Sequence, residues 1–227
     1  MTNTVLEQLQ GGVVVSCQAY PGEPMRHPET MAQLAEAAIV GGAIGIRAQG
    51  VADVALIADR VDVPTIGLWK VGADGVFITP TLQHAVVIAG AGASIVAVDG
   101  TRRTRPDGRT LSETVRAFRQ ESDALLMADV GSVADGDAAI EAGVDCLSTT
   151  LSGYTLDRPT TIGPDLEVLA ALVERSPVPV FAEGRIHTPD QARGCMESGA
   201  HAVVVGTAIT HPSTITRWFG DAVRGSA

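Results

Sequence analysis

Four glycines recur at intervals of about 50 residues, each between the end of a predicted helix and a short apolar run. They lie in the segments GGAIGI, AGASIVAV, AGVDCLS and SGAHAVVV, as Gly42, Gly92, Gly143 and Gly199. About 50 residues is the length of two strand–helix units, so one of these glycines precedes every second predicted strand. A closed ring of alternating strands, as in a (β/α)₈ barrel, is expected to show this two-unit period.

Eight apolar runs alternate with helical patterns along the whole chain. Between the first two runs, for example, apolar residues follow the i, i+3, i+4, i+7, i+8 spacing of a helix from Met31 to Ile39. The runs are continuous rather than alternating, which is typical of parallel strands covered on both faces. We therefore predict an α/β fold, a (β/α)₈ TIM barrel, as a single domain over residues 1–227. A doubly wound open sheet is the alternative, but no GxGxxG follows the first run.

Composition excludes several classes of partner. The net charge is −10 and the sequence pI is about 4.8, so binding to nucleic acid or to an anionic membrane is not expected. The amino-terminal residues lack the pattern of a secretory signal, and the longest weakly polar run, 85–98, is too short to span a membrane. Cys17, Cys146 and Cys195 are widely spaced, which predicts reduced thiols in a cytoplasmic protein rather than disulfides or a zinc site.

Polar residues stand at the ends of the predicted strands, where the loops of a barrel meet. In chain order these residues are Gln18, Arg47, Lys70, Asp99, Asp129, Thr149, Thr150, Glu183 and Gly206. Any one of them could simply hold a loop backbone. Three ionisable groups in one barrel mouth are costly unless they are used, so Lys70, Asp129 and Glu183 together predict an active site. The loops after the seventh and eighth strands are where barrels usually bind a substrate phosphate.

Ten segments resemble one enzyme family, and they follow the order of that family along nearly the whole chain. The most specific are TTLSGYT at 149–155 and AEGR at 182–185, and others include SCQ at 16–18, IGLWK at 66–70 and FITPT at 77–81. In these segments the chain resembles the N-acetylmannosamine-6-phosphate 2-epimerases. The resemblance implies a TIM barrel that interconverts N-acetylmannosamine 6-phosphate and N-acetylglucosamine 6-phosphate in sialic acid and amino-sugar catabolism. It implies neither a metal nor an organic cofactor.

The resemblance assigns catalytic roles at the strand ends. Lys70 matches the family's catalytic lysine, which exchanges the proton at C2 of the sugar and must be uncharged to act as a base. A positive charge at Arg47 would lower the pKa of that lysine. Glu183 matches the acid/base carboxylate, with a role in ring opening and proton handling. Arg47 and Asp129 match residues that position the substrate and stabilise the developing enolate.

The resemblance also implies a set of substrate-binding residues. Gln18 would hold a polar group of the sugar, and Arg185 with nearby backbone N–H groups would bind the phosphate. The complete predicted set is Gln18, Thr149, Thr150, Gly184, Arg185, Gly206, Thr207 and His211. His211 stands where the family commonly has an arginine, so the phosphate contact and the exact sugar are left open. Gln49 and Val71 also depart from the family pattern.

Two other functions and the oligomeric state stay open at this point. A Schiff-base lyase or aldolase also uses a lysine at a barrel strand end, and a non-catalytic sugar-phosphate-binding barrel would bind the same ligand without proton exchange. Metal-dependent epimerases of this fold need histidine ligands, and no predicted strand ends in histidine, so no metal is expected. Trp218 and Phe219 could cover the barrel wall or form a dimer contact, and the resemblance favours a homodimer.

Overall fold

The computed structural model describes residues 4–225, which form a closed barrel of eight parallel strands. Strand order around the barrel follows the chain, and the last strand pairs with the first. The strands are β1 (Val13–Cys17), β2 (Gly45–Gln49), β3 (Thr65–Leu68), β4 (Ile95–Asp99), β5 (Leu125–Asp129), β6 (Cys146–Ser148), β7 (Val180–Glu183) and β8 (Ala202–Val205). The predicted (β/α)₈ fold is confirmed. The first three and last two residues of the predicted domain lie outside the described residues.

Helices surround the strands on the outside. They are α1 (Thr4–Gln8), α2 (Pro28–Val40), α3 (Val51–Arg60), α4 (Leu82–Gly90), α5 (Leu111–Glu121), α6 (Val133–Ala142), α7 (Leu166–Arg175), α8 (Pro189–Glu197), α9 (Thr207–Thr210) and α10 (Pro212–Arg224). Short polar side chains cap several of them at the amino end: Thr110 caps α5 and Thr188 caps α8, each in a reciprocal capping box. No described helix is long and apolar enough to cross a membrane.

Two apolar clusters fill the fold. The outer cluster lies between the strands and the helices, whereas the inner cluster fills the barrel with side chains from alternate strand positions, such as Ile95, Leu125 and Phe181. Leu9 follows α1 and belongs to the inner cluster, where a side chain at Gly45 would collide with it. This short helix was not predicted from the sequence. It closes the amino-terminal end of the barrel, so the opening lies at the other end.

The glycine period has a conformational cause. Gly42, Gly92, Gly143 and Gly199 have φ values of 96°, 101°, 88° and 90°, which other residues rarely adopt. Each of them reverses the chain between a helix and the following strand. The period therefore marks every second helix–strand turn, as the barrel prediction requires.

Five strand ends differ from the predicted ones: β1, β6 and β8 end one or two residues earlier than predicted, and the ends of β2 and β3 are each displaced by two residues. β2 continues to Gln49, two residues beyond Arg47, and β3 ends at Leu68, two residues before Lys70. In the loop after β3, Ile78 pairs with Lys70 only through an isolated antiparallel bridge, and residues 76–79 form no further strand. The first polar residue after an apolar run shows where the side chains leave the apolar core. It does not show where the backbone hydrogen bonds of the strand end. Arg47 is buried inside the barrel although it is charged.

Candidate active site

A cavity of about 660 Å³ opens at the carboxyl ends of the strands. This volume falls in the range of ~300–1,000 Å³ that is common for small-molecule sites. Side chains alternate between the inside and the outside of a strand, so residues two apart point into the barrel together. The lining includes, among the predicted residues, Gln18, Arg47, Lys70, Thr150, Glu183, Gly184, Arg185, Gly206, Thr207 and His211. A smaller cavity of about 300 Å³ lies around Pro179 and His201, and its lining contains no lysine, arginine or carboxylate.

The floor of the mouth is a buried ion cluster built around Arg47. Its guanidinium group donates two hydrogen bonds to Asp129, Nη1 to Oδ1 at 3.1 Å and Nη2 to Oδ2 at 2.5 Å. Nη1 also lies 3.0 Å from Oε2 of Glu183. Burial alone would lower the pKa of Arg47, but the charges of Asp129 and Glu183 more than offset this and raise it. Arg47 therefore stays charged and holds the two carboxyl groups close together.

Two hydroxyl groups on the β6 side complete this cluster. The Thr150 hydroxyl lies 2.8 Å from Oδ1 of Asp129 and 3.0 Å from Oε2 of Glu183. Ser148 lies 2.8 Å from that hydroxyl and 3.3 Å from the same Glu183 oxygen. A hydroxyl has only one proton to donate, so Thr150 cannot donate to both carboxyl groups. A proton on Glu183 would satisfy both contacts.

The surroundings of Glu183 favour the protonated form of its carboxyl group. Burial raises the pKa of the Glu183 carboxyl, the charge of Arg47 opposes the rise, and the charge of Asp129 adds to it. The net direction is upward. Glu183 is thus a carboxyl group whose protonated form is favoured relative to an ordinary glutamate, which suits a residue that gives and accepts protons.

Lys70 is the only lysine of the chain, beside 15 arginines. An arginine cannot lose its proton in a protein, whereas a lysine can when it is buried or lies near other cations. Burial, followed by the positive charge of Arg47, lowers the pKa of Lys70 below 10.5, while Glu183 and Asp129 act in the opposite direction. The Nζ atom lies 5.6 Å from the centre of the Tyr20 ring. The mouth therefore holds one amine, and it loses its proton more readily than an ordinary lysine does.

A second arginine that lines the cavity, Arg26, bonds to uncharged groups. Arg26 donates from Nη1 to the carbonyl of Ala19 at 2.8 Å. With its side-chain amide oriented to fit this contact, Gln49 accepts hydrogen bonds from both Nη atoms of Arg26, from Nη2 at 2.9 Å. No carboxylate forms an ion pair with Arg26 among the described residues, and its charge also lowers the pKa of Lys70. Arg26, Gln49, Tyr20 and Tyr154 line the cavity and were not predicted as site residues.

The loop after β7 carries two of the predicted phosphate residues. Gly184 has a φ of 106°, and Arg185 has a φ of 55°, a value that is unusual for a residue with a side chain. The Arg185 guanidinium group donates to the carbonyls of Gly163 and Ser152 and to the Thr161 hydroxyl, at 2.8–3.1 Å. Arg185 thus holds the long loop between β6 and α7 beside the cavity.

The loop after β8 leads directly into the two carboxyl-terminal helices. Gly206 caps α9, and the N–H groups of the first helical turn have no partner inside a helix. His211 begins α10 and is buried in the cavity wall. Its ring centre lies 5.0 Å from that of Tyr20, and its Nδ1 lies 3.6 Å from Oε1 of Glu23. This nitrogen makes no hydrogen bond within residues 4–225.

Three strand-end residues do not line the cavity. Thr149 faces the β7 backbone, where its hydroxyl accepts from the Glu183 N–H at 3.0 Å and donates to the Glu183 carbonyl at 2.9 Å. Asp129 lies behind Arg47 and acts on the mouth through it. Asp99 binds the basic loop that follows it, through Thr101 and Arg103.

Ser148 was not among the residues predicted from the sequence, although a signal for it was present. The residue lies two positions before Thr150 and therefore points into the barrel with it. No such signal existed for Arg26, which comes from a proline-rich loop far from any strand end. Within the described part of the chain, no group of three or more His, Cys, Asp and Glu side chains is arranged to hold a metal ion.

Comparison with known proteins identifies the family. Residues 31–225 match the family described as "Putative N-acetylmannosamine-6-phosphate epimerase". A Cutibacterium acnes protein named "Putative N-acetylmannosamine-6-phosphate 2-epimerase" is 59% identical over 225 residues, covering 98% of each chain. A protein of the same name from Caldanaerobacter subterraneus subsp. tengcongensis is 44% identical, covering 96% of this chain and 94% of that one.

Solved structures agree with these sequence matches. The N-acetylmannosamine-6-phosphate 2-epimerase from Clostridium perfringens superposes with a TM-score of 0.93 at 38% identity, covering 98% of this chain and 97% of the other. A thiamine phosphate pyrophosphorylase from Pyrococcus furiosus shares the fold alone, with a TM-score of 0.62 at 17% identity. The chain belongs to the N-acetylmannosamine-6-phosphate epimerase family.

Proposed function

We propose that this protein inverts the configuration at C2 of N-acetylmannosamine 6-phosphate to form N-acetylglucosamine 6-phosphate, in the catabolism of sialic acid and amino sugars. The observation that supports this most directly is the single lysine in the mouth, beside a buried arginine and two carboxyl groups. Inverting a carbon next to a carbonyl requires removal of one proton and its return to the opposite face. Family membership supplies the identity of the sugar.

The first step of the proposed reaction is ring opening. The sugar must open before C1 becomes an aldehyde that can make the C2 proton acidic. Glu183 is suited to move the proton between the ring oxygen and O1, because burial favours its protonated form while Arg47 keeps the ionised form within reach. The hydroxyl groups of Ser148 and Thr150 hold the carboxyl group in place during this exchange.

Proton transfer at C2 follows. Uncharged Lys70 takes the proton from C2, the C–H electrons form the C1–C2 double bond, and O1 becomes an enolate oxygen. The positive charge of Arg47, fixed by Asp129, stabilises that negative charge. A proton then returns to C2 on the other face, from Lys70 or Glu183, and the electrons return to C2. No other reactant is needed, because protons are only redistributed.

The phosphate of the substrate is assigned to the side of the mouth formed by the loops after β7 and β8. The groups proposed for it are the backbone N–H groups at Gly184, Gly206 and Thr207, with Arg185 and His211. Arg185 uses three of its five N–H groups on the loop between β6 and α7, which leaves two for an anion. Gln18 would hold a polar group of the sugar from the β1 side.

We also propose that the protein acts as a cytoplasmic homodimer. The support for dimerisation is α10, in which no residue is buried and which exposes Phe219 and Val223 on one side. Trp218 packs its ring against His187, at 4.7 Å between ring centres, so it partly covers the barrel itself. The support for a cytoplasmic location is the presence of three cysteines, all buried and free. Fractionation of cells that produce the protein tests the location.

One experiment separates the proposed function from its rivals. The protein is mixed with N-acetylmannosamine 6-phosphate in D₂O and followed by proton NMR. An epimerase gives the second sugar with deuterium at C2. Carbon–carbon cleavage, with a borohydride-stable mass increase on Lys70, would instead indicate a Schiff-base lyase. Binding without deuterium incorporation would indicate a sugar-phosphate-binding protein.

A further inference from the structure

The hydrogen-bond ladder between β3 and β4 is interrupted just below the mouth. These strands pair Ile66 with Ile95 and Gly67 with Val96. If the same register continued, the Trp69 N–H would donate to the Ala97 carbonyl, and the Asp99 N–H would donate to the Trp69 carbonyl. Neither of these bonds is formed. The two strands separate at this level, and another segment of chain lies between them.

That segment is Ile78–Thr79, at the end of the loop after β3. The Trp69 N–H donates to the Thr79 hydroxyl at 3.0 Å, and this hydroxyl donates to the Ala97 carbonyl at 2.6 Å. The Thr79 N–H donates to the Trp69 carbonyl at 2.7 Å, and the Asp99 N–H donates to the Ile78 carbonyl at 3.0 Å. Each missing ladder bond is thus replaced by two bonds that pass through the inserted residues.

Thr79 has an unfavourable backbone conformation for its residue type. Its φ is 44°, which is rare for any residue other than glycine and especially for a β-branched one. Its side chain is completely buried. Glycine would fit this φ without strain, but it has no hydroxyl to join Trp69 to Ala97. The threonine hydroxyl thus provides a bridge between the two strands that glycine could not provide, at the cost of a strained backbone.

The inserted segment also fixes the backbone around Lys70, the residue that follows Trp69. Both backbone polar groups of Trp69 bond to Thr79, and the N–H of Val71 donates to the Phe77 carbonyl at 2.9 Å. Lys70 itself forms the bridge with Ile78. The backbone is therefore fixed on both sides of the lysine. We infer that Thr79 is a positioning residue, whose hydroxyl sets the place of Lys70 in the mouth; this inference rests on the proposed function of that lysine.

The test compares three variants at one position with a matched control. Thr79→Ser keeps the hydroxyl, Thr79→Gly removes it and relieves the φ strain, and Thr79→Val removes it while keeping the shape. Thr114→Val is the control, because Thr114 in α5 is similarly buried and its hydroxyl bonds only to the carbonyl of Thr110, the residue that caps this helix. The readouts are kcat and KM for the sugar phosphate, and the pH dependence of amine labelling at the only lysine.

Positioning predicts that Thr79→Gly and Thr79→Val lower kcat about 10- to 100-fold, because small misplacements of a reacting group are costly. KM should change little, and Thr79→Ser and the control should keep kcat near wild type. A Thr79→Gly protein with wild-type kcat would overturn the inference, as would a Thr79→Ser protein as slow as Thr79→Val. Thr79→Gly keeps the comparison informative if Thr79→Val fails to fold.

Labelling separates this inference from the proposed function. A lysine released from its place gains solvent, so in Thr79→Gly the labelling midpoint should move up toward the ordinary lysine value. If Lys70→Ala still exchanged the C2 proton, the proposed role of Lys70 as the base would fail, yet this labelling shift would still test the positioning of Lys70. An unchanged midpoint in Thr79→Gly would contradict the positioning role whatever the reaction is.

Discussion

Arg47 and Asp129 form a two-point ion pair inside the barrel, with side chains that are 1% and 0% exposed. Replacing only the acid leaves a buried guanidinium charge with the carboxyl group of Glu183 as its remaining partner. Breaking a buried pair by removing one partner costs about 3–5 kcal/mol. We therefore expect Asp129→Asn to lower the free energy of unfolding by up to this amount, measured by urea denaturation.

The exposed pair between Arg175 and Asp137 is the matched control, because both side chains are about half exposed, at 51% and 47%. Exposed pairs contribute ~0–1 kcal/mol, so Asp137→Asn should have little effect. Equal losses in Asp129→Asn and Asp137→Asn would show that the buried pair has no special role in stability.

Lys70→Ala should abolish exchange of the C2 proton while leaving substrate binding largely intact. A positioned general base contributes about 10²- to 10⁴-fold in rate, and no other lysine can replace it. The measurement combines deuterium incorporation at C2 with calorimetric titration of the sugar phosphate. Deuterium entering C2 at a rate near wild type would show that another group is the base. Glu183→Gln should also slow turnover strongly, because it removes the group assigned to ring opening.

The pH dependence of Lys70 can be read directly by amine labelling. Its reactive form is the uncharged amine, so labelling rises with pH through the pKa, which is lowered from 10.5. Glu183 raises this pKa, so Glu183→Gln should move the labelling midpoint to lower pH. Arg26 lowers it, so Arg26→Gln should move the midpoint to higher pH. Shifts in the same direction for both variants would contradict the proposed electrostatics of the mouth.

The catalytic pH profile should follow the same group. If uncharged Lys70 is the base, kcat/KM rises with pH up to the lysine pKa and then levels off. The rising limb of wild type should coincide with its labelling midpoint, and it should move with that midpoint in Arg26→Gln. A limb that stays in place while the labelling midpoint moves would assign the rise to a different group.

His211 should affect the phosphate rather than the sugar. A charge-assisted hydrogen bond to phosphate is worth about 1.5–3 kcal/mol, or roughly ten- to a hundredfold in affinity. His211→Ala should therefore raise the KM for the phosphorylated sugar roughly ten- to a hundredfold. The KM for the unphosphorylated sugar should stay unchanged. Ser213→Ala is the control, since that hydroxyl bonds to the same Glu23 carboxylate. Equal changes for both sugars would show that His211 does not contact the phosphate.

The exposed side of α10 should form the proposed dimer contact. Phe219 is 70% exposed and Val223 is 87% exposed, and they lie one helical turn apart. Phe219→Glu should shift the protein from dimer to monomer in sedimentation velocity, because a charge in an apolar interface is strongly unfavourable. Arg217→Glu on the same helix is the control for added negative charge. A monomeric wild type would contradict the proposal.

Much of the fold was predictable because its causes are local in the sequence. The helix periods, the glycines with positive φ and the apolar runs each act over a few residues, and together they indicate a barrel. The same local pattern placed Lys70 and Glu183 in one mouth, because all strands of a parallel barrel end on the same side. It also placed Asp129 near them, although that side chain lies behind Arg47 rather than at the surface of the cavity.

The interactions that define the chemistry are long-range, and they follow from how the chain packs rather than from any local pattern. Arg47 and Asp129 are 82 positions apart in the chain, and no local pattern states that they pair. The insertion of Thr79 between β3 and β4 depends on where two strands separate, which sequence polarity does not record. The architecture and the residue types at the mouth follow from patterns that can be read along the chain. Packing decided which of them are joined, because burial and distance, rather than order along the chain, set pKa values and hydrogen bonds.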